Sequence, residues 1–272
     1  MRASSRTAYP VKKLGDIMTG IQFFSPRNYD GSPMKLPVGY RRTVKWLPKI
    51  GDIFPNFKLE TTHGPLDFWQ WAEGSWTYLF SHPEAKTPVC TTEIGALARN
   101  QAEFNAVSTK VLGLTGSSLP AQQAWHDDIA KVYTSPVWFP TGCDADGHLA
   151  LLFGMQHEKE HSSWPIRKSF VIDPQLRIRV MFEYPIIVGR SVEETLRVIE
   201  ALQLFDSTGF ATPSDWYEGD PVIVPNDRRE ADVVRMTGAN SLHVLPYLRM
   251  VNYKPKHAKA LEGMCGSGPR VL

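Results

Sequence analysis

Cysteine is scarce in this sequence. Three in 272 residues (Cys90, Cys143 and Cys265) cannot brace a fold with disulfides, so a reducing, cytoplasmic setting is the expectation. Long apolar runs are missing as well: nothing approaches the roughly eighteen residues of a membrane span, and the start lacks the charged-then-apolar pattern of a secretory signal. Internal repeats are absent. The net charge is only +2, but it is unevenly spread. Residues 1–50 hold ten Lys/Arg against Asp16 and Asp30, a surplus of eight, which leaves the rest about six negative. This basic leader lacks the interleaved aromatics and the motif of a nucleic-acid reader, so it reads as a solvated arm and no nucleic-acid partner is expected. Its Arg, Ser and Thr content, with no acid before Asp16, keeps organelle import as an alternative, against which Pro10 and weak amphipathicity count.

What is present suits a folded α/β protein. The apolar fraction of 42% and charged fraction of 21% allow a substantial core. Residues 1–45, with Pro10, Pro26, Pro33 and Pro37 and no sustained period, read as an extension. From residue 46 to 205 strand-like runs ("FKLET", "WTYLF", "VLGLTG", "KSFVID") alternate with helical patterns at residues 91–107, 119–133 and 191–204. In the last of these Ser191 and Glu194 form a capping box ahead of the stripe Val192, Leu196, Ile199 and Leu202. "RIRVMFEY" alternates Ile178, Val180 and Phe182 with Arg177, Arg179 and Met181, which predicts a hairpin turning at Asp173-Pro174 with one face buried. This order points to a layered α/β fold with a mixed sheet. Beyond residue 205 the chain turns rich in Pro, Gly and Asp, so residues 206–272 read as a C-terminal domain and tail.

Three stretches could carry chemistry. "HEKEH", residues 157–161, matches the zincin pattern H-E-x-x-H, but that chemistry needs a long helix and a third ligand. Gly154 before it and "SSWP" after it leave about one turn, so an exposed loop is expected and no metal site. "EGSWT" around Ser75 has Glu73 and Thr77 where a nucleophile elbow needs glycines. "SHPEAKTPVCTTE", residues 81–93, places Cys90 after a strand and in the first turn of a helix. Unpaired amides and the positive end of the helix dipole there stabilise a thiolate, the nucleophilic form. A buried inert cysteine is the alternative. The strand–turn–helix setting favours the reactive one.

Pro83, Thr87 and Cys90 also reproduce the signature P-x-x-x-T-x-x-C of peroxiredoxins, and "FSHPEAKTPVCTTE" resembles its 1-Cys version. "IRKSFVID" is similar to the family's strand with the active-site arginine, here Arg167; "YPIIVGRSVEETLRVIEALQL" is similar to the strand and helix that follow, with Arg190 at a second arginine. "ATPSDWYEGDPVIVP" resembles the opening of the 1-Cys C-terminal domain, so the likeness covers about residues 47–225. It implies a thioredoxin-like three-layer fold with a mixed central sheet and a small C-terminal dimerisation domain. Cys90 would then attack a peroxide, Thr87 would hydrogen-bond it, and Arg167 would stabilise the charge. Glu93 and Arg190 would hold Arg167, Pro83 would shield the site, and His82 would stand beside the pocket. No cofactor is implied. The partners expected are a peroxide, an external glutathione- or thioredoxin-like thiol, and a second copy of the chain, as a homodimer or higher homo-oligomer. Ser75 aligns with the serine of the lipase motif of some members, but Gly74 and Thr77 depart from that motif, so no lipase activity is expected. Cys143 reads as a packed residue in a turn before a strand, and Cys265 as an alternative resolving cysteine. A non-enzymatic redox sensor or chaperone is the rival reading, and a zinc hydrolase the third.

Overall fold

The computed structural model describes residues 47–254; the basic leader and Cys265 lie outside them. Strands β1 (Lys58–Thr61) and β2 (Gly64–Asp67) form a hairpin, followed by helix α1 (Phe68–Ala72) and strand β3 (Trp76–Ser81). Helices α2 (Pro88–Arg99) and α3 (Gln101–Ala106) lead to β4 (Thr109–Thr115), α4 (Leu119–Tyr133), β5 (Thr141–Cys143) and α5 (His148–Leu152). Strands β6 (Arg167–Ile172) and β7 (Ile178–Tyr184) precede α6 (Val192–Thr208). These strands make one sheet in the order β2-β1-β5-β4-β3-β6-β7. β3, β4 and β5 run parallel, while β6 and β7 are antiparallel additions on one side and β1 and β2 on the other.

All six residues of β3 are buried, as a strand in mid-sheet with both faces covered must be. One face is covered by α1, α5 and the loops that carry Phe54, Phe57, Phe153 and Met155. The other packs Ile94 and Leu97 of α2, Trp125 and Ile129 of α4, and Leu196 and Ile199 of α6. The result is the three-layer α/β arrangement with a mixed central sheet. A smaller unit follows, with β8 (Val222–Val224), α7 (Glu230–Thr237), β9 (Leu242–Leu245) and β10 (Leu248–Val251) around Phe210, Trp216 and Val233. No helix among the described residues is long and apolar enough to cross a membrane.

Half of the expected capping box forms: the Ser191 hydroxyl accepts the Glu194 amide at 3.1 Å, whereas the Glu194 carboxylate accepts from Arg197 and not from the Ser191 amide. Three local expectations are corrected. The pattern at residues 91–107 is two helices, because the chain leaves helical geometry at Asn100, whose side-chain amide donates to the Ala96 carbonyl. The hairpin turns where expected, with Asp173 Oδ1 accepting the Gln175 and Arg177 amides, but it is not apolar on one face only. A bulge at Arg179 pairs Val180 with Val171 and Ile178 with Ile172, so Ile178 faces the first core and Val180 and Phe182 the second. Cys143 is the last residue of β5, paired with Thr115, rather than in a turn before a strand.

Candidate active site

Helix α2 begins one turn earlier than periodicity suggested, because Pro88 occupies its first position, where a missing N–H costs nothing. Thr87 is its N-cap residue in extended geometry, and Cys90 therefore falls in the first turn, where the amides have no carbonyl one turn back. The preceding loop is pinned from the side: the Thr115 hydroxyl donates to the Pro83 carbonyl at 3.2 Å and the Ala85 amide to Ser117 Oγ at 3.0 Å. The Thr91 hydroxyl donates to the Thr87 carbonyl at 2.8 Å and accepts from Trp125 Nε1 at 3.0 Å, which ties the cap to α4.

Cys90 is fully buried, and so is Arg167 at the first position of β6. Arg167 Nη1 donates to Cys90 Sγ at 3.3 Å and to Glu93 Oε2 at 2.7 Å, while its Nε donates to the Ile186 carbonyl at 2.9 Å. Glu93 lies one helical turn after Cys90 and receives Arg190 three times, from the backbone amide at 2.8 Å and from Nε and Nη2 at 2.9 Å. Arg190 also donates to the Lys168 carbonyl and lies over the Phe80 ring, 5.1 Å from its centre. Burial pushes the Glu93 carboxyl up, but the charge and hydrogen bonds of Arg190 and the charge of Arg167 outweigh it and hold the carboxyl below its ordinary value. Two buried guanidiniums against one carboxylate leave one positive charge beside the sulfur. A thiolate balances it, whereas a neutral thiol leaves it unpaired.

Thr87, Cys90, Glu93, Arg167 and Arg190 are thus brought together from three parts of the chain. Thr87 differs in detail, since its hydroxyl donates to the Glu84 carbonyl at 2.9 Å and not to the sulfur. Pro83 is buried in the loop beside them. His82 is fully buried between Phe80 and Trp125, and neither ring nitrogen has a hydrogen-bond partner. Burial, eased only in part by the Glu93 charge, lowers its pKa to about 3, so the ring is neutral. The unfolded chain takes up that proton below about pH 6.5, so the stabilisation is full above that pH and is lost as pH falls toward about 3, at up to about 1.4 kcal/mol per pH unit. Denaturant unfolding across this range should show that slope, and His82→Leu should flatten it; an unchanged slope would exclude His82 as its source.

The other two stretches fall on a turn and a bend. Residues 157–161 form an exposed turn rather than a long helix, and His161 Nδ1 accepts the Ser163 and Trp164 amides at 3.2 and 2.9 Å, which fixes its ring within the loop. Ser75 sits in the bend before β3, after Gly74 at φ +77°. Sequence reasoning missed the carbonyls of Ile186 and Lys168 that orient the two arginines, since a backbone acceptor carries no residue-type signal. It also missed Thr91, Thr115 and Trp125, whose spacing to the motif is set only by the fold.

The AhpC/TSA family model matches residues 50–181, and that of the C-terminal domain of 1-Cys peroxiredoxin matches residues 201–235. The mitochondrial peroxiredoxin PRX1 of Saccharomyces cerevisiae is 37% identical over 217 residues, covering 76% of this chain and 81% of its own. The 1-Cys peroxiredoxin of Dictyostelium discoideum is 31% identical over 74% of this chain and 84% of its own. Among solved structures, a yeast mitochondrial 1-Cys peroxiredoxin superposes with a TM-score of 0.70 at 36% identity, over 76% of this chain and all of that one. The peroxiredoxin 6 of Arenicola marina gives 0.71 at 31% identity, over 76% of this chain and 99% of that one. Relatives that align along most of both chains, together with matches to both family models, show that the chain belongs to the 1-Cys peroxiredoxin family of thiol-dependent peroxidases.

Proposed function

We propose that Cys90 is the peroxidatic nucleophile and that Thr87 and Arg167 act with it on the peroxide. The observation that carries this reading is the 3.3 Å contact from Arg167 Nη1 to Cys90 Sγ inside a cluster with one surplus positive charge. The thiolate attacks the terminal oxygen of the hydroperoxide, the O–O bond breaks, and Cys90 becomes a sulfenic acid. The leaving alkoxide or hydroxide takes a proton from solvent and departs as alcohol or water. Arg167 meets the charge as it moves from sulfur to the leaving oxygen. Thr87 has spent its proton on Glu84, so its oxygen is left to accept the O–H of the peroxide and orient it. Glu93 and Arg190 keep the Arg167 guanidinium in place.

The sulfenic acid then requires a thiol from outside. Cys90 is fully buried, so the first turn of α2 must open before a mixed disulfide can form. The yeast relative is described as resolving its thiol via glutathione/thioredoxin systems, which supports a reductant of that class here. Assembly as a homodimer is supported by the C-terminal unit, where Leu242, Val244, Leu245 and Tyr247 expose apolar surface together. The basic leader, and likeness to a relative named as mitochondrial, support organelle import over the cytoplasmic setting that cysteine scarcity suggested. Turnover is tested by coupling NADPH oxidation to glutathione with glutaredoxin, and separately to thioredoxin with its reductase. Sustained consumption of peroxide with either is expected. A single stoichiometric burst with both would leave a redox sensor in place of a peroxidase cycle.

A further inference from the structure

The loop that contains "HEKEH" is not used by the chemistry above, yet it touches the site twice. Its base is closed by the Ile166 amide donating to the Met155 carbonyl at 2.6 Å, and the next residue is Arg167 itself. The Ile166 carbonyl accepts the Ser81 hydroxyl at 2.6 Å, which fixes this end of the loop to β3. Its far side folds back so that Glu160 Oε2 accepts the Ile186 amide at 3.3 Å. The carbonyl of that same residue, Ile186, accepts Arg167 Nε. The loop is held in shape by its own bonds: the Glu160 and His161 amides both donate to the His157 carbonyl at 3.0 Å. His161 Nδ1 takes two further amides, and its ring stacks on Trp164 at 4.3 Å.

Ile186 belongs to the segment between β7 and Arg190, which has little packing to fix it. Ile187 and Val188 are exposed, and a Cβ at Gly189 would meet Val89 beside Cys90 at ordinary contact distance. Two peptide units meet at Ile186, one shared with Pro185 that carries its amide and one shared with Ile187 that carries its carbonyl, and in such a segment the pair keeps its orientation when each unit is held. Arg167 holds the carbonyl of Ile186, and Glu160 holds its amide.

We propose that Glu160 is a positioning residue for Arg167: by holding the Ile186 amide it restrains the residue whose carbonyl, in the next peptide unit, accepts Arg167 Nε, and so the placement of the guanidinium on Cys90 Sγ. The inference rests on the reading of Arg167 as the group that stabilises charge in the reaction. Glu160 touches neither substrate nor sulfur, so its effect reaches the reaction only through Arg167.

The test is a double-mutant cycle on the second-order rate of Cys90 oxidation by hydrogen peroxide, read by stopped-flow tryptophan fluorescence in the full chain. Loss of one hydrogen bond of this kind should make Glu160→Ala about 3- to 10-fold slower than wild type. Glu160→Gln keeps an acceptor oxygen and should restore most of the rate. In an Arg167→Ala background, Glu160→Ala should have no further effect. Circular-dichroism melting should place Glu160→Ala within a few degrees of wild type, because the residue is exposed. A wild-type rate for Glu160→Ala, a Gln variant as slow as the Ala variant, or an undiminished effect without Arg167 would each overturn the proposal. If Arg167→Ala alone reacted at the wild-type rate, the reading of Arg167 would fail first and be recognised as such.

Discussion

Cys90→Ser is expected to abolish peroxide reduction, leaving only the background of the assay's free thiols. Serine is nearly the same size, and its hydroxyl can occupy the same buried position in the first turn of α2. It remains protonated beside Arg167, however, and an alcohol oxygen is a poor nucleophile without an adjacent base. Cys143 offers no substitute: it ends β5 against Thr115, half-buried, and among the described residues the arginine contact belongs to Cys90. Steady-state peroxide consumption with a coupled reductant measures the effect. Near-wild-type turnover in Cys90→Ser would overturn the assignment of the nucleophile.

Arg167→Ala should lower the rate of Cys90 oxidation on the order of 100- to 1000-fold, the range seen when one preorganised charge-stabilising donor is removed from an active site. The fold should survive this change better than it would survive loss of Glu93. Glu93 keeps three bonds from Arg190, so no buried carboxylate is left unpaired. Removing Glu93 instead would leave two buried guanidiniums without their shared partner, a kind of change that costs about 3–5 kcal/mol. Arg167→Ala therefore separates chemistry from stability. Arg167→Lys should fall between, because an ammonium can carry the charge but cannot bond Cys90, Glu93 and Ile186 at once in the planar geometry of a guanidinium. Stopped-flow oxidation rates for the three proteins check this order, and an Ala variant within about 3-fold of wild type would contradict it.

Much of this was legible in the residues alone because it depends on local pattern. The N-cap at Ser191, the helix at residues 119–133 and the turn at Asp173 are written in contiguous residue types, and the structure repeats them. Cys90 at a helix start was legible for the same reason. Its helix begins three residues earlier than expected because proline at the first turn reads as a breaker when position within a helix is not yet known. The bulge at Arg179 was not legible, since it arises from pairing with β6 and reverses the face of Ile178 without changing the alternation. Arg167 and Arg190 entered through likeness to a family, not through spacing, because 77 residues separate Arg167 from the sulfur it touches. Glu160 was hidden behind a motif that suggested zinc. Its contact is with a backbone amide 26 residues away, and no residue pattern announces such a partner.

One equivalent of hydrogen peroxide added to the reduced protein tests most directly whether Cys90 is the oxidised residue, read by intact mass and by peptide mapping after trapping with dimedone. The expected result is a gain of one oxygen atom and a dimedone label on the peptide that carries Cys90, with Cys143 and Cys265 still reduced. A label on Cys143, or a disulfide joining Cys90 to Cys265 in place of a trapped sulfenic acid, would contradict a cycle in which Cys90 alone is oxidised and waits for an external thiol.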